Sequence, residues 1–296
     1  MSMNYYDEIK NILIDNEIYK RVKDYSKNRN ELENYHNVGK LLVAAGKHYG
    51  EGIVKEYSKK LTKEIGKGYD ISNLKRMRQF YIIIQKGVAM PHQLSWSHIL
   101  SLLPINNINE INYYIDISKR LNLSYRQLRE RIKLHEYERL DENTKRKLII
   151  KEGINVTDNI KQPIIIKNKY NTNNISEKML KQLILEDIDE FLNELGEGFT
   201  YVGNEYTIKI GNVYNYIDIL LFNYLYNCFI VIELKVTELK KEHIGQIHTY
   251  MNYIDKNIKS LHQNKTIGII IVKKDNQFIM EYCSDLRIYR TTYKLI

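Results

Sequence analysis

The sequence predicts an α/β protein in two parts: a mainly helical first half, then a mixed sheet flanked by helices. Residues 5–150 place their apolar residues at helical spacing with little alternation of period two. After residue 200, runs rich in isoleucine, valine, tyrosine and phenylalanine follow a helix in the order strand, strand, strand, helix, strand. Charge divides along the same line. The 45 basic and 36 acidic residues split as 27 and 18 in residues 1–150, and as 18 and 18 thereafter, so the first half carries the whole excess of +9. A basic module beside a balanced one points to a polyanionic partner, with a solvated lysine-rich surface as the alternative.

In the first half, Asn37 to Tyr49 and Gly50 to Glu64 read as helices that stop near Gly66-Lys67-Gly68. Asp70 or Ser72 can cap a third helix, Asn73 to Gln85, with Leu74, Met77, Tyr81 and Ile84 on one face and Lys75 and Arg78 on another. Leu94 to Leu100 reads as a short capped helix in which Trp96 and His98 serve as core and cap residues. A further helix follows Ser124, with Tyr125, Leu128 and Ile132 inward and Arg126, Arg129 and Lys133 outward.

Residues 151–174, with Pro163, the triplet Ile164-Ile165-Ile166 and a polar run, read as an exposed connector. The chain is thus expected to divide into a helical domain over residues 1–150, a connector over 151–174 and an α/β domain over 175–296. Ser176-Glu177 opens a helix to Gly196, and strands are expected over Tyr206–Ile210, Tyr216–Phe222, Cys228–Leu234 and Thr266–Val272, with a helix from Glu242 to about Tyr253 before the last.

At 296 residues and 43% hydrophobic content the chain can bury a sizeable core. No run approaches the roughly 18 apolar residues of a spanning helix. The start, Met1 to Glu8, lacks the basic-then-apolar order of a signal peptide, so a cytoplasmic protein without membrane contact is expected. Cys228 and Cys283 form neither a disulfide framework nor a Cys-x-x-Cys zinc site, and His36, His48, His92, His243 and His248 lack zinc spacing.

The chemistry concentrates in two adjacent strands. A hairpin turning near Tyr224-Leu225-Tyr226 sets Asp218 opposite the neighbourhood of Ile232 and Glu233, and Glu233 and Lys235 project from one side of their strand. Two carboxylates and an ammonium in otherwise apolar strands are costly unless paired or metal-bound. An internal salt bridge with Lys235 would satisfy one carboxylate and leave the other unexplained. A hard cation such as Mg²⁺ or Mn²⁺, held by carboxylates, waters and phosphate, accounts for both.

The Asp218, Glu233-Leu234-Lys235 and Gln246 to Tyr250 pattern resembles the PD-(D/E)XK nuclease core. Two stretches resemble, more narrowly, the YhcG-like family of nucleases with its N-terminal helical domain. The first includes Leu61 to Tyr69, Asn73 to Tyr81 and Leu94 to His98; the second runs from Glu177 through Glu194 to Phe199, Asp218, Glu233 to Lys235 and Gly245-Gln246 to Tyr253. The resemblance implies a PD-(D/E)XK-like mixed sheet flanked by helices, preceded by a winged-helix-like DNA-binding domain. It implies metal binding by Asp218 and Glu233, catalysis by Lys235, a supporting acid on the first helix of the core (Glu186, then Asp187 or Glu190), and Gln246 above the metal. Departures are Asn204-Glu205, where relatives tend to carry Arg-Gln, Lys241 in place of a proline, and a hairpin tip poor in basic residues.

The resulting expectation is a Mg²⁺-dependent (or Mn²⁺-dependent) endonuclease acting on DNA. Lys75, Arg76, Arg78, Arg126, Arg129 and Lys133 would contact nucleic-acid phosphates, and a homodimer would serve if both strands are cut. The rivals are a non-catalytic nucleic-acid-binding protein and a protein-interaction scaffold that keeps the fold.

Overall fold

The computed structural model describes residues 4–22, 28–171 and 175–296. Residues 172–174 of the expected connector, and Met1 to Met3 of the start, lie outside them. By contacts the chain divides into two units, Met1–Tyr137 and Glu138–Ile296.

The first unit is helical: α1 (Tyr5–Val22), α2 (Asn28–Tyr49), α3 (Ile53–Glu64), α4 (Ile71–Gln85), α5 (Trp96–Leu102), α6 (Ile108–Arg120) and α7 (Tyr125–Lys133). Its caps follow the sequence. Asp70 accepts from the Asn73 amide to start α4, and Ser124 accepts from the Gln127 amide to start α7. His98 bonds back to Ser95 at the head of α5, and Trp96 packs on Tyr35 and Phe80 with centroids 4.8 and 5.8 Å apart. Helices α2 and α4 meet closely at Gly39, where a Cβ would come within 2.2 Å of the Met77 carbonyl oxygen. Glycine at that point is therefore a packing requirement. The buried face of α4 is Leu74, Met77, Phe80 and Ile83, rotated from the expected set, with Tyr81 and Ile84 only half-buried. Tyr125 departs further: expected inward, it is 37% exposed, and Leu128 alone of its helix is buried.

The second unit begins before residue 150. It contains α8 (Glu142–Ile150), β1 (Ile164–Ile166), α9 (Glu177–Glu186), α10 (Ile188–Leu195), β2 (Phe199–Ile210), β3 (Val213–Asn223), β4 (Cys228–Glu238), α11 (Lys241–Asn257), β5 (Ile267–Lys274), α12 (Gln277–Glu281) and β6 (Ile288–Leu295). The Arg139 guanidinium reaches the Glu194 carboxylate, with Nη2 3.0 Å from Oε1, and Lys147 pairs with Asp158 at 2.8 Å. These bonds tie the segment ahead of the connector to the sheet unit. The connector is itself structural: Ile164 and Ile166 are buried and pair in parallel with Tyr293 and Leu295.

The six strands run in the order β1-β6-β5-β4-β3-β2, parallel from β1 to β4 and antiparallel across β4-β3-β2. Leu180, Leu183 and Ile184 of α9 and Phe191 and Leu195 of α10 pack with Ile219, Ile230, Ile232 and Ile269 in one core. Ile247, Met251 and Ile254 of α11 pack with Leu220, Val231, Ile270 and Val272 in a second. The sheet thus has helices on both faces, as expected. The single helix expected from Ser176 to Gly196 is broken at Asp187 (φ −137°, ψ 48°), which ends α9 and precedes α10. No described helix is long and apolar enough to cross a membrane.

Candidate active site

The centre of the sheet brings the expected charges together. The antiparallel pairing of β3 with β4 ends at Ile219 and Ile232, the residues next to Asp218 and Glu233. Asp218 Oδ2 accepts the Leu234 amide at 3.0 Å, which fixes that carboxylate at the crossing of β3 and β4. Lys235 Nζ lies 3.3 Å from Glu233 Oε2 and 3.7 Å from Glu177 Oε2, the first residue of α9. One turn along α9, Lys181 Nζ reaches Asp218 Oδ1 at 3.3 Å and Glu205 Oε1 at 2.9 Å. Glu205 sits between the Asn204–Ile219 and Tyr206–Ile217 pairs with φ 47°, an irregularity that puts it beside Asp218's lysine.

Burial decides the electrostatics. Glu233 is 1% exposed, and its Oε1 has no hydrogen-bond partner. Burial, reinforced by the negative charge of Asp218, pushes its carboxyl up to about 7 despite the neighbouring Lys235. Burial works against the charge on Lys235, but Glu233, Glu177 and Asp218 outweigh it and hold the ammonium above its usual range. Lys181 is raised in the same way by Glu205 and Asp218 against its own burial. His243, buried at the head of α11, is lowered by burial and by Lys235.

Among the described residues no group of three or more His, Cys, Asp and Glu side chains is arranged to hold a metal. The donor set is two carboxylates, one with an orphaned buried oxygen, and this fits a hard cation that keeps most of its waters. Asp218 and Glu233 would supply the protein ligands.

The other expected residues fall elsewhere. Glu186 is engaged at the far end of α9, accepting from Tyr170 Oη at 2.7 Å and Gln182 Nε2 at 3.0 Å, and so is not gathered with the pair. Asp187 and Glu190 both lie 3.7 Å from Lys167. Glu177 is the helix acid that the structure places at the lysine. Gln246 donates to Tyr250 Oη at 3.1 Å within α11 rather than to the carboxylates. Glu177 and Lys181 were missed as site residues, though they are spaced i, i+4 just after the Ser176 cap, the spacing that puts two side chains on one helix face.

Of the basic residues, Arg78 forks onto Glu51 through both terminal nitrogens, so its charge is already matched. Arg76 bonds Asn73 at 3.0 Å and Lys75 is exposed. Arg126, Arg129 and Lys133 are exposed along α7, and none has an ion-pair partner among the described residues.

Residues 157–294 match the family model described as the YhcG PDDEXK nuclease domain, and residues 14–139 match the DUF1016 N-terminal domain. The nuclease-domain match falls on the sheet unit and the DUF1016 match on the helical one. The chain is 22% identical over 281 residues to "Putative nuclease YhcG" of Escherichia coli (strain K12), across 80% of this chain and 75% of that protein. Among solved structures it is similar to a repair endonuclease from Pyrococcus abyssi (18% identity, TM-score 0.30, 41% of this chain and 48% of that one). It is also similar to EndoMS in an EndoMS-dsDNA2 complex (17% identity, TM-score 0.31, 42% and 48%). Each of these structural alignments spans about half of the matched chain, at 48%.

Proposed function

We propose that this YhcG-like chain is a Mg²⁺- or Mn²⁺-dependent endonuclease that hydrolyses DNA phosphodiester bonds, with its basic first half gripping the nucleic acid. The observation that carries this reading is the buried Glu233, raised in pKa beside Asp218 and carrying an unpartnered oxygen, next to a lysine held in its charged form. When bound, the cation lowers the pKa of a water and polarises the phosphodiester. Asp218 and Glu233 would hold it, and its charge would offset the repulsion between them. Lys235, protonated throughout the neutral range, donates to the attacking water or to phosphate oxygens gaining charge and does not act as a base. Lys181 Nζ lies 3.3 Å from Asp218 Oδ1 and would share that carboxylate with a cation.

The choice of DNA rests on the family resemblance, and the domain assignment (1–150 for binding, 175–296 for cleavage) on the charge split and the strand pattern. The Lys181–Asp218 and Lys235–Glu233 pairs favour the rival in which these residues form only an internal ion network. Plasmid nicking in Mg²⁺ separates the two. The wild type is expected to relax supercoiled DNA, with Asp218→Asn and Glu233→Ala slower by about 10³-fold, a loss of several kcal/mol of transition-state stabilisation. Equal cleavage by all three removes these carboxylates from the reaction, and no cleavage by the wild type favours the ion network.

A further inference from the structure

The first unit holds a groove of about 440 Å³ between α5 and α7. Its apolar part is formed by Leu100, Pro104 and Ile132, and Tyr125, Arg129 and Lys133 supply an aromatic ring and two cations. Tyr125 is exposed, with the Arg126 guanidinium 5.8 Å from its ring centroid and Arg126 Nε 3.3 Å from its hydroxyl. Neither Arg129 nor Lys133 has an ion-pair partner among the described residues. An apolar recess beside an accessible ring, with uncompensated positive charge, has the chemistry of a site for a flat heterocycle joined to phosphate.

We infer that this groove receives an unpaired nucleotide of a DNA substrate, its base against Tyr125 and its phosphates at Arg129 and Lys133. The inference rests on the nuclease reading and deepens it by naming the substrate class: DNA with a single-stranded end or flap. The volume lies in the range of small-ligand sites, about 300–1,000 Å³, and a concave recess of that size takes a splayed-out base rather than a stacked duplex. Stacking on an aromatic ring is tolerant of sequence because every base has a π face, so no particular base is required. The phosphate contacts make binding dependent on salt. An acidic peptide would use the same two cations but would gain little from Tyr125.

The test is fluorescence anisotropy of the full chain in EDTA, which blocks cleavage, against a blunt duplex and the same duplex bearing an oligothymidine overhang. The wild type is expected to bind the overhang duplex about 10-fold more tightly. Tyr125→Ala removes that preference while blunt-duplex binding stays unchanged, and Tyr125→Phe keeps it. Arg129→Gln with Lys133→Gln flattens the dependence of overhang binding on salt. Equal affinity of the wild type for the two duplexes, or equal loss on both in Tyr125→Ala, overturns the groove assignment and leaves the nuclease reading standing. Absence of binding to either duplex overturns both. A failed nicking assay together with a retained overhang preference overturns the nuclease reading alone.

Discussion

Lys235→Ala is expected to lower Mg²⁺-dependent nicking by about 10²–10³-fold, the loss found when one preorganised donor to developing charge is removed. Its ammonium lies 3.3 Å from Glu233 and 3.7 Å from Glu177, and these acids with Asp218 hold the proton against burial. A lysine held in this way acts through charge and donated hydrogen bonds. Lys235→Arg keeps the charge but replaces a compact ammonium with a planar fork, so partial activity is expected, between wild type and Lys235→Ala. A pH series adds a second readout. If Lys235 worked as a base, the rate would climb as it deprotonated; with the ammonium held above its usual range, the rate is expected to level off across neutral and mildly alkaline pH. A tenfold rise for each pH unit above 9 that is lost in Lys235→Arg would contradict the charged-donor role.

Glu233→Gln is expected to stabilise the metal-free protein at pH 8 while abolishing cleavage. The carboxyl sits at about 7 in the folded chain, against 4.5 for the ordinary group, because it is buried and faces Asp218. Below 4.5 it is protonated in both states and contributes nothing to pH dependence. Between about 4.5 and 7 the unfolded chain gives up its proton first, so stability falls as pH rises; above about 7 the full penalty is present. The shift, which already includes the attraction of Lys235, corresponds to an upper bound of about 3 kcal/mol. Urea unfolding in EDTA at pH 5 and pH 8 reads this directly. The variant is expected to exceed the wild type at pH 8 and to differ little at pH 5. A variant less stable than the wild type at pH 8 would show that the ion pair outweighs the repulsion.

Much of this arrangement was legible in the sequence, for identifiable reasons. The β3-β4 hairpin has a short turn and nearly continuous apolar strands, so turn position alone brought Asp218 to the part of β4 around Ile232 and Glu233. Period two then put Lys235 on the side of Glu233. The helix acid was different. A helical wheel gives the face of α9 but not which end approaches the charged centre, and Glu177 and Glu186 are separated by the length of that helix, about 13 Å at 1.5 Å per residue. Lys181 was hidden for the same reason. Strand β6, Ile288–Leu295, mixes threonine, arginine and lysine into its alternation, and β1 is only three residues long, so neither stood out from its surroundings. Tyr125 is the first residue of a nine-residue helix, where the preceding turn that would cover a mid-helix side chain is missing. Arg78 carried no sign in the sequence of its partner Glu51, which precedes it by 27 residues.

The most direct test of the central claim, that Asp218 and Glu233 hold a divalent cation, is Mn²⁺ binding by isothermal titration calorimetry at pH 8. The wild type is expected to show a saturable site that is lost in both Asp218→Asn and Glu233→Gln and retained in Glu186→Gln. Unchanged Mn²⁺ binding in the first two variants would contradict the assignment.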